Sequence, residues 1–401
     1  MDFRRFILIP LIFGPLTSVF ASESYPTVQA GYHDGFYVKT EDDRFRLKVG
    51  SRVNFGYTYG FISPANDFST FDLIHAKIYA GGNAFSQSIQ YYFQAAAANN
   101  TRPVKSSPPP ESNTGNFTLE DYYVRLSWED LSIKLGQFKV PFGRQWMIYS
   151  GNLEFGDRSL ATKAFTFGRD RGVTFGADRE TFSYTLGIFN GAGDPSLGNG
   201  FSPANFSSTG QNTSNDFSTG RGHLYLARIV AIPMGLAGYS EGDVENSEGA
   251  RLEIGGGFVF DQDRDVDLNA DGIVEDTKAD LWNASGELIF KKGGKSIQGE
   301  FFYRKVKGEA ISDVDALGFY VQPAYFLVSN KFEVALRFGW VDPNLDLSQN
   351  RIFEGALATN LYISKDHRYK AQLQYSWRGE EVGIQGRNDD SFIDLLFQLT
   401  L

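Results

Sequence analysis

Residues 117–140 read FTLEDYYVRLSWEDLSIKLGQFKV, and their residue types alternate instead of recurring at helical spacing. Val124, Leu126 and Trp128 are apolar, while Asp121, Tyr123, Arg125 and Ser127 are mostly polar, which describes a strand with two unlike faces. After Glu129 and Asp130 the alternation resumes in the opposite parity, with Leu131, Ile133 and Leu135 apolar and Ser132 and Lys134 polar. A two-residue connection is the shortest that keeps Trp128 and Leu131 on one face. It predicts a hairpin that pairs Leu126 with Ile133, Val124 with Leu135 and Arg125 with Lys134. Two cations set opposite each other repel, a conflict that water or a bound anion would relieve.

The next stretch, PFGRQWMIYSGNLEFGDRSLATKAFTFGRDR at 141–171, loses the alternation and gains Gly, Pro and Arg. At about thirty residues it is too long for an idle connection. Its cations Arg144, Arg158, Lys163, Arg169 and Arg171 outnumber Glu154, Asp157 and Asp170, although the whole chain carries a net charge of −10.

The same two-residue rhythm runs outward in both directions. Upstream, Phe45, Leu47, Val49, Val53, Phe55, Tyr57 and Tyr59 fall on one face of a strand, and Arg44, Arg46, Lys48, Arg52 and Asn54 on the other. Downstream, the last strand, SFIDLLFQLTL, sets Ile393, Leu395, Phe397, Leu399 and Leu401 against Asp394, Gln398 and Thr400. Sixteen strands can be placed, near 44–61, 71–82, 86–97, 117–128, 131–140, 172–179, 181–190, 221–232, 250–261, 279–291, 295–306, 316–328, 331–342, 351–363, 367–379 and 390–401. A shorter strand lies near Phe36–Thr40. Alternate connections are short, near Asn83, Glu129, Glu180, Gly293, Ser329 and Lys365, and the others are mostly long. An even-stranded membrane barrel sorts its loops in this way, with short turns on the periplasmic rim and long loops outside. The stretch 233–249 breaks the rule, being long where a short turn is due, and an excursion into the lumen is the one account it offers.

The N-terminus supports export. A basic start, MDFRR, leads into an apolar run of about fifteen residues and a small-residue site at Ala21, the pattern of a cleaved signal peptide. No later segment is long and apolar enough for a membrane helix, so the mature chain either dissolves or spans as a closed barrel. An aromatic fraction of 15% and 43 glycines suit many strands joined by turns, with aromatic residues at the membrane interfaces. The chain has no cysteine, hence no disulfide framework or thiolate metal site. The expected organisation is a signal peptide at 1–21, a periplasmic arm at 22–43 and an all-β transmembrane barrel at 44–401.

GQFKVPFGRQ at 136–145, DRSLA at 157–161 and GRDRGVTFGA at 168–177, together with LKVGSRVNF at 47–55, resemble the phosphate-selective porin O and P family of Gram-negative outer membranes. The likeness covers nearly all of the mature chain. It implies a sixteen-stranded porin, trimeric, embedded in outer-membrane lipid, that passes small anions such as phosphate without any cofactor. It also makes 141–171 the third external loop, folded inward to narrow the lumen. The candidate anion-binding and pore-lining residues are then Arg125, Lys134, Lys139, Arg144, Arg158, Lys163, Arg169 and Arg171, with Arg46, Lys48 and Arg52 from the first strand. Arginine suits bidentate contact with phosphate oxygens, and lysine acts as a point charge. In the alternative, several of these cations pair with nearby acids and merely pin the loop. The wall itself is mixed: Arg251, Arg304, Arg337, Arg368 and Lys370 share inward parity with Glu253, Glu287, Glu300, Glu333 and Glu354.

Other motifs are weaker. Asp267, Asn269, Asp271 and Glu275 resemble the opening of a calcium loop, but Lys278 occupies the twelfth place where a bidentate Glu is needed. A complete EF-hand is excluded, which leaves a surface calcium site or a solvated acidic loop. GYSEG at 238–242 matches a nucleophile-elbow pattern without the strand-to-helix context that it requires. The four histidines form no metal-spaced pair, and nothing points to nucleic acid. The competing class is a structural or adhesive outer-membrane barrel whose loops close its lumen.

Overall fold

The computed structural model describes residues 27–33, 35–63, 66–99, 117–191, 222–266, 275–308, 313–381 and 386–401. The proposed signal peptide at 1–21 and the start of the arm at 22–43 lie outside them, as do Asp267, Asn269 and Asp271 of the calcium motif. Two short strands, β1 (Val28–Tyr32) and β2 (Phe36–Thr40), precede the longer ones: β3 (Arg46–Ile62), β4 (Phe68–Ala84), β5 (Ser86–Asn99), β6 (Thr118–Trp128), β7 (Leu131–Lys139) and β8 (Arg169–Asp178). Then come β9 (Phe182–Phe189), β10 (Leu224–Ala231), β11 (Arg251–Val266), β12 (Glu275–Lys292), β13 (Lys295–Gly308), β14 (Val314–Val328), β15 (Phe332–Asp342), β16 (Ile352–Tyr362), β17 (Tyr369–Glu381) and β18 (Arg387–Thr400).

From β3 onward each strand pairs antiparallel with the next, and β18 returns to β3 from Asp390↔Ile62 to Thr400↔Arg52. The result is a closed barrel of 16 strands, which leaves no edge exposed. Below the end of β18, strand β2 takes over the same edge of β3, from Phe36↔Val49 to Lys39↔Arg46, and carries β1 with it.

The hairpin that decides the fold has the expected register: Trp128↔Leu131, Leu126↔Ile133, Arg125↔Lys134 and Val124↔Leu135. The faces are also as expected. Val53, Phe55, Val124, Trp128, Ile393 and Leu395 are exposed on the outer wall, while Arg52, Asn54, Asp394 and Gln398 are buried inside. An exposed apolar belt of this extent requires lipid around it.

Three boundaries differ from the sequence reading. The first short turn falls at Phe85, not Asn83. Strands β11 and β12 run on into the acidic stretch through Arg264↔Ala279, Asp265↔Lys278 and Val266↔Glu275, with register shifts. Beyond the lipid the ladder needs only backbone partners, so the apolar alternation that marks a strand is lost. Strand β8 begins at Arg169, which moves Arg169–Arg171 out of the loop and into the wall.

One glycine of the GQFK motif is required by the backbone. Gly136 has φ +133, and a Cβ there would lie 2.2 Å from the Tyr122 carbonyl oxygen.

Candidate functional site

Two irregular segments enter the barrel from opposite rims and meet inside it. From the long-loop rim comes the stretch between β7 and β8. It forms a helix α1 (Arg144–Met147), a 3-10 turn at Ser150–Asn152 and a helix α2 (Leu160–Phe165). Ser159 caps α2 by accepting from Thr162 N. Phe142 and Phe165 anchor the loop against Phe302 of β13, with the Phe165 and Phe302 rings stacked at 5.5 Å. From the short-turn rim comes 232–250, the stretch that broke the loop-length rule. Ala237, Glu241, Asp243, Val244 and Ser247 are all buried.

Irregular backbone inside a membrane barrel must find hydrogen-bond partners. Wall acids supply acceptors for the N–H groups. Glu300 accepts from Arg144 N and Gln145 N at the start of α1, and Glu354 accepts from Leu160 N at the start of α2. Glu253 accepts from Ala237 N and Gly238 N. Cations supply donors for the carbonyls. Lys139 Nζ donates to Trp146 O and Ile148 O at 2.9 Å each. Arg158 donates to Gln145 O at 3.1 Å and Ile148 O at 2.7 Å, and its guanidinium lies 4.8 Å from the Trp146 ring. Lys370 donates to Leu153 O and Lys291 to Ser240 O. Burial lowers the Arg158 guanidinium to about 10, so it stays charged at neutral pH.

The other candidate cations fall into separate groups. Arg144 pairs with Glu253, Lys163 with Asp157, Arg169 with Asp121 at 3.1 Å, and Arg125 with Asp178 at 3.2 Å. These four help to pin the loop and wall. Arg125 and Lys134 do face each other, and the repulsion is relieved without a bound anion. Asp178 takes Arg125, and Lys134 Nζ sits 4.7 Å from the ring centroids of both Tyr123 and Phe138. Arg52 is fully buried. It donates from Nη2 to Ser150 Oγ at 2.7 Å and lies 4.8 Å from the Tyr149 ring, with Nε and Nη1 unpartnered. Arg46, beside the Tyr37 ring, and Lys48, beside Gly35, stand at the short-turn rim.

Arg171 requires a correction. It shares its parity with the exposed Val173 and Phe175, and it lines an outer-wall depression with Leu119, Tyr122, Leu135 and Val173. It therefore faces away from the lumen, because β8 starts early enough to impose strand alternation on it. Arg251 and Arg368 are likewise rim residues, bonded to Glu245 and Asp366.

The sequence reading had no account of residues 233–249 beyond a lumenal excursion and did not single out Glu120, whose carboxylate binds Lys77 at 2.6 Å. The available signal for the first was its length on a rim of short turns. GYSEG does bring its serine to a histidine: Ser240 Oγ lies 3.1 Å from His367 Nε2. His367 Nδ1, however, faces Lys370 Nζ at 3.3 Å, where a triad needs a carboxylate. Burial, then Lys370 and Lys291, hold this imidazole well below its ordinary range. The contact fastens the inward segment to the turn before β17.

A closed barrel with an apolar belt, irregular segments in its lumen and buried charge around them defines an outer-membrane channel. The sequence matches the phosphate-selective porin O and P family over residues 45–394, and the chain belongs to that family. Its structure is similar to the anion-selective porin from Comamonas acidovorans, at TM-score 0.57 and 11% identity, covering 88% of this chain and 99% of that one. It is also similar to OprB of Pseudomonas putida (TM-score 0.57, 10% identity, 88% and 94% covered). A third such structure is the outer membrane channel DcaP of Acinetobacter baumannii (TM-score 0.55, 12% identity, 88% and 97% covered). At these identities the likeness concerns the fold. No curated protein matches the sequence.

Proposed function

We propose that this channel favours anions, phosphate among them, and that Arg52 is its central selecting residue. The observation that carries the reading is a buried guanidinium with two free donors and, among the described residues, no carboxylate partner. Lys134, Lys139, Arg158, Lys291 and Lys370 likewise bond carbonyls or rings instead of acids. Uncompensated cations in a narrow lumen raise the local anion concentration. The relatives' family name and the Comamonas porin's anion selectivity agree with this reading. Export by an N-terminal signal peptide and assembly as a trimer, as in the trimer form of Vibrio cholerae OmpT, complete it.

Reconstitution in planar bilayers tests it. A reversal potential of anionic sign in a KCl gradient, with chloride current that falls as phosphate is added, is the expected result. A cation preference rejects it. The meeting of two segments inside the lumen favours a second reading, a barrel closed by its own loops, and folded protein that gives no current steps would establish that instead.

A further inference from the structure

Residues 232–250 are braced to the short-turn rim. Asp243 accepts from Ser247 N at 3.0 Å and Gly294 N at 2.8 Å, and Val244 packs with Phe326 and Tyr362. From that base Glu241 reaches the external loop. Its backbone N donates to Asn152 O at 3.0 Å. Its carboxylate accepts from Glu154 N at 2.6 Å, Gln145 Nε2 at 2.7 Å, Gln298 Nε2 at 2.7 Å and Gln322 Nε2 at 3.0 Å. Each oxygen thus takes two donors, and the four come from the loop, β13 and β14. No cation is among them. A carboxylate is needed here because only an acceptor-only group satisfies four converging N–H donors; a glutamine would turn its own N–H toward them.

We propose that Glu241 is the positioning residue of the selecting loop: anchored from the periplasmic side, it fixes where Tyr149, Ser150 and Arg158 stand around Arg52. The proposal rests on the anion-channel reading and adds that selectivity is set by a segment entering from the opposite rim. Without the Glu241 carboxylate the loop loses its ties at Gln145 and Glu154, keeping only the backbone bond at Asn152, and withdraws from Arg52, which is itself unchanged.

The test uses the full chain in planar bilayers. Glu241→Ala should raise single-channel conductance and lower the anion-to-cation permeability ratio by up to about fivefold, the Coulomb weight of Arg158 moved out of contact range in water, whereas loss of a lumenal carboxylate alone would raise that ratio. Because that variant could fail to fold, a second one carries the test independently. Asn152→Cys with Glu241→Cys replaces the carboxylate's ties by a disulfide between two residues whose backbones already touch at 3.0 Å, in a chain with no other cysteine. Oxidised, it should show wild-type selectivity; reduced in the same bilayer, it should lose it. Identical selectivity in both redox states, with Glu241→Ala also at the wild-type value, overturns the proposal and leaves the channel intact. Silence from the wild-type barrel overturns the channel reading, and this one with it.

Discussion

The two sides of the lumen both carry mixed charge, and they partner it differently. On the β11–β16 side, Glu253, Glu287 and Glu354 are neutralised by Arg144, Arg228 and Arg337, and Glu300 caps loop N–H groups. On the β3–β8 side, Arg52, Lys134 and Lys139 have no carboxylate at ion-pair distance among the described residues, and Arg158 of the loop leans toward them. The lesson is that a tally of inward charges misleads. Acids paired with cations contribute little field at the axis, whereas cations held by neutral carbonyls keep theirs.

The largest effect that can break this contrast lies on the acidic side. The Arg144–Glu253 pair is buried at both ends, and removing one partner from such a pair costs about 3–5 kcal/mol. Arg144→Met should lower resistance to chemical denaturation by that order and expose the loop to protease. Arg144→Met with Glu253→Leu should recover part of the loss, since no buried charge is then left alone. The basic side predicts a functional effect instead. Arg52→Gln keeps two N–H donors but removes the charge, about 1 kcal/mol at 4 Å in water. The permeability ratio should fall about fivefold in reversal-potential measurements, with little change in denaturation.

A smaller effect tests whether the acidic side is as discharged as argued. Burial, then the facing carboxylates of Glu333 and Glu241, hold the Glu154 carboxyl well above the ordinary range. Gln322 and Ser296 also bond it, with Lys370 and Lys291 beyond. A carboxyl raised by folding binds its proton more tightly in the folded state. Its stabilisation is complete below the unfolded value of about 4.3 and is lost as pH climbs through the folded value. Protease resistance of the loop should therefore decline as pH is raised above the ordinary carboxylate range in the wild type, and Glu154→Gln should flatten that decline.

Much of this was legible beforehand, and the gaps have physical causes. A face-alternating strand states its own parity, which is why the 124–135 register and the outward Ile393–Leu399 series could be read directly. The basic loop showed itself by composition. What the residues could not reveal was pairing between segments far apart in the chain: Glu120 with Lys77 and Glu241 with Gln145 are separated by 43 and 96 positions, and no local pattern links them. Arg171 was misplaced for a related reason. Its neighbours Arg169 and Asp170 are both buried, so charge alone could not show that strand alternation had already begun.

Arg171 supplies the smallest expected effect and the sharpest control. If selectivity belongs to cations inside the wall, a cation of equal charge on the outside should be inert. Arg171 lies in the outer depression, its Nε only 3.4 Å from Gln137 Oε1, and the barrel wall separates it from Arg52. Screening over about 8 Å at physiological salt weakens its reach into the lumen further. Arg171→Gln should leave conductance and reversal potential unchanged, whereas Arg52→Gln, which removes the same charge, should not. Equal shifts from the two substitutions would mean that total positive charge governs permeation, and the distinction drawn between compensated and uncompensated walls would fail.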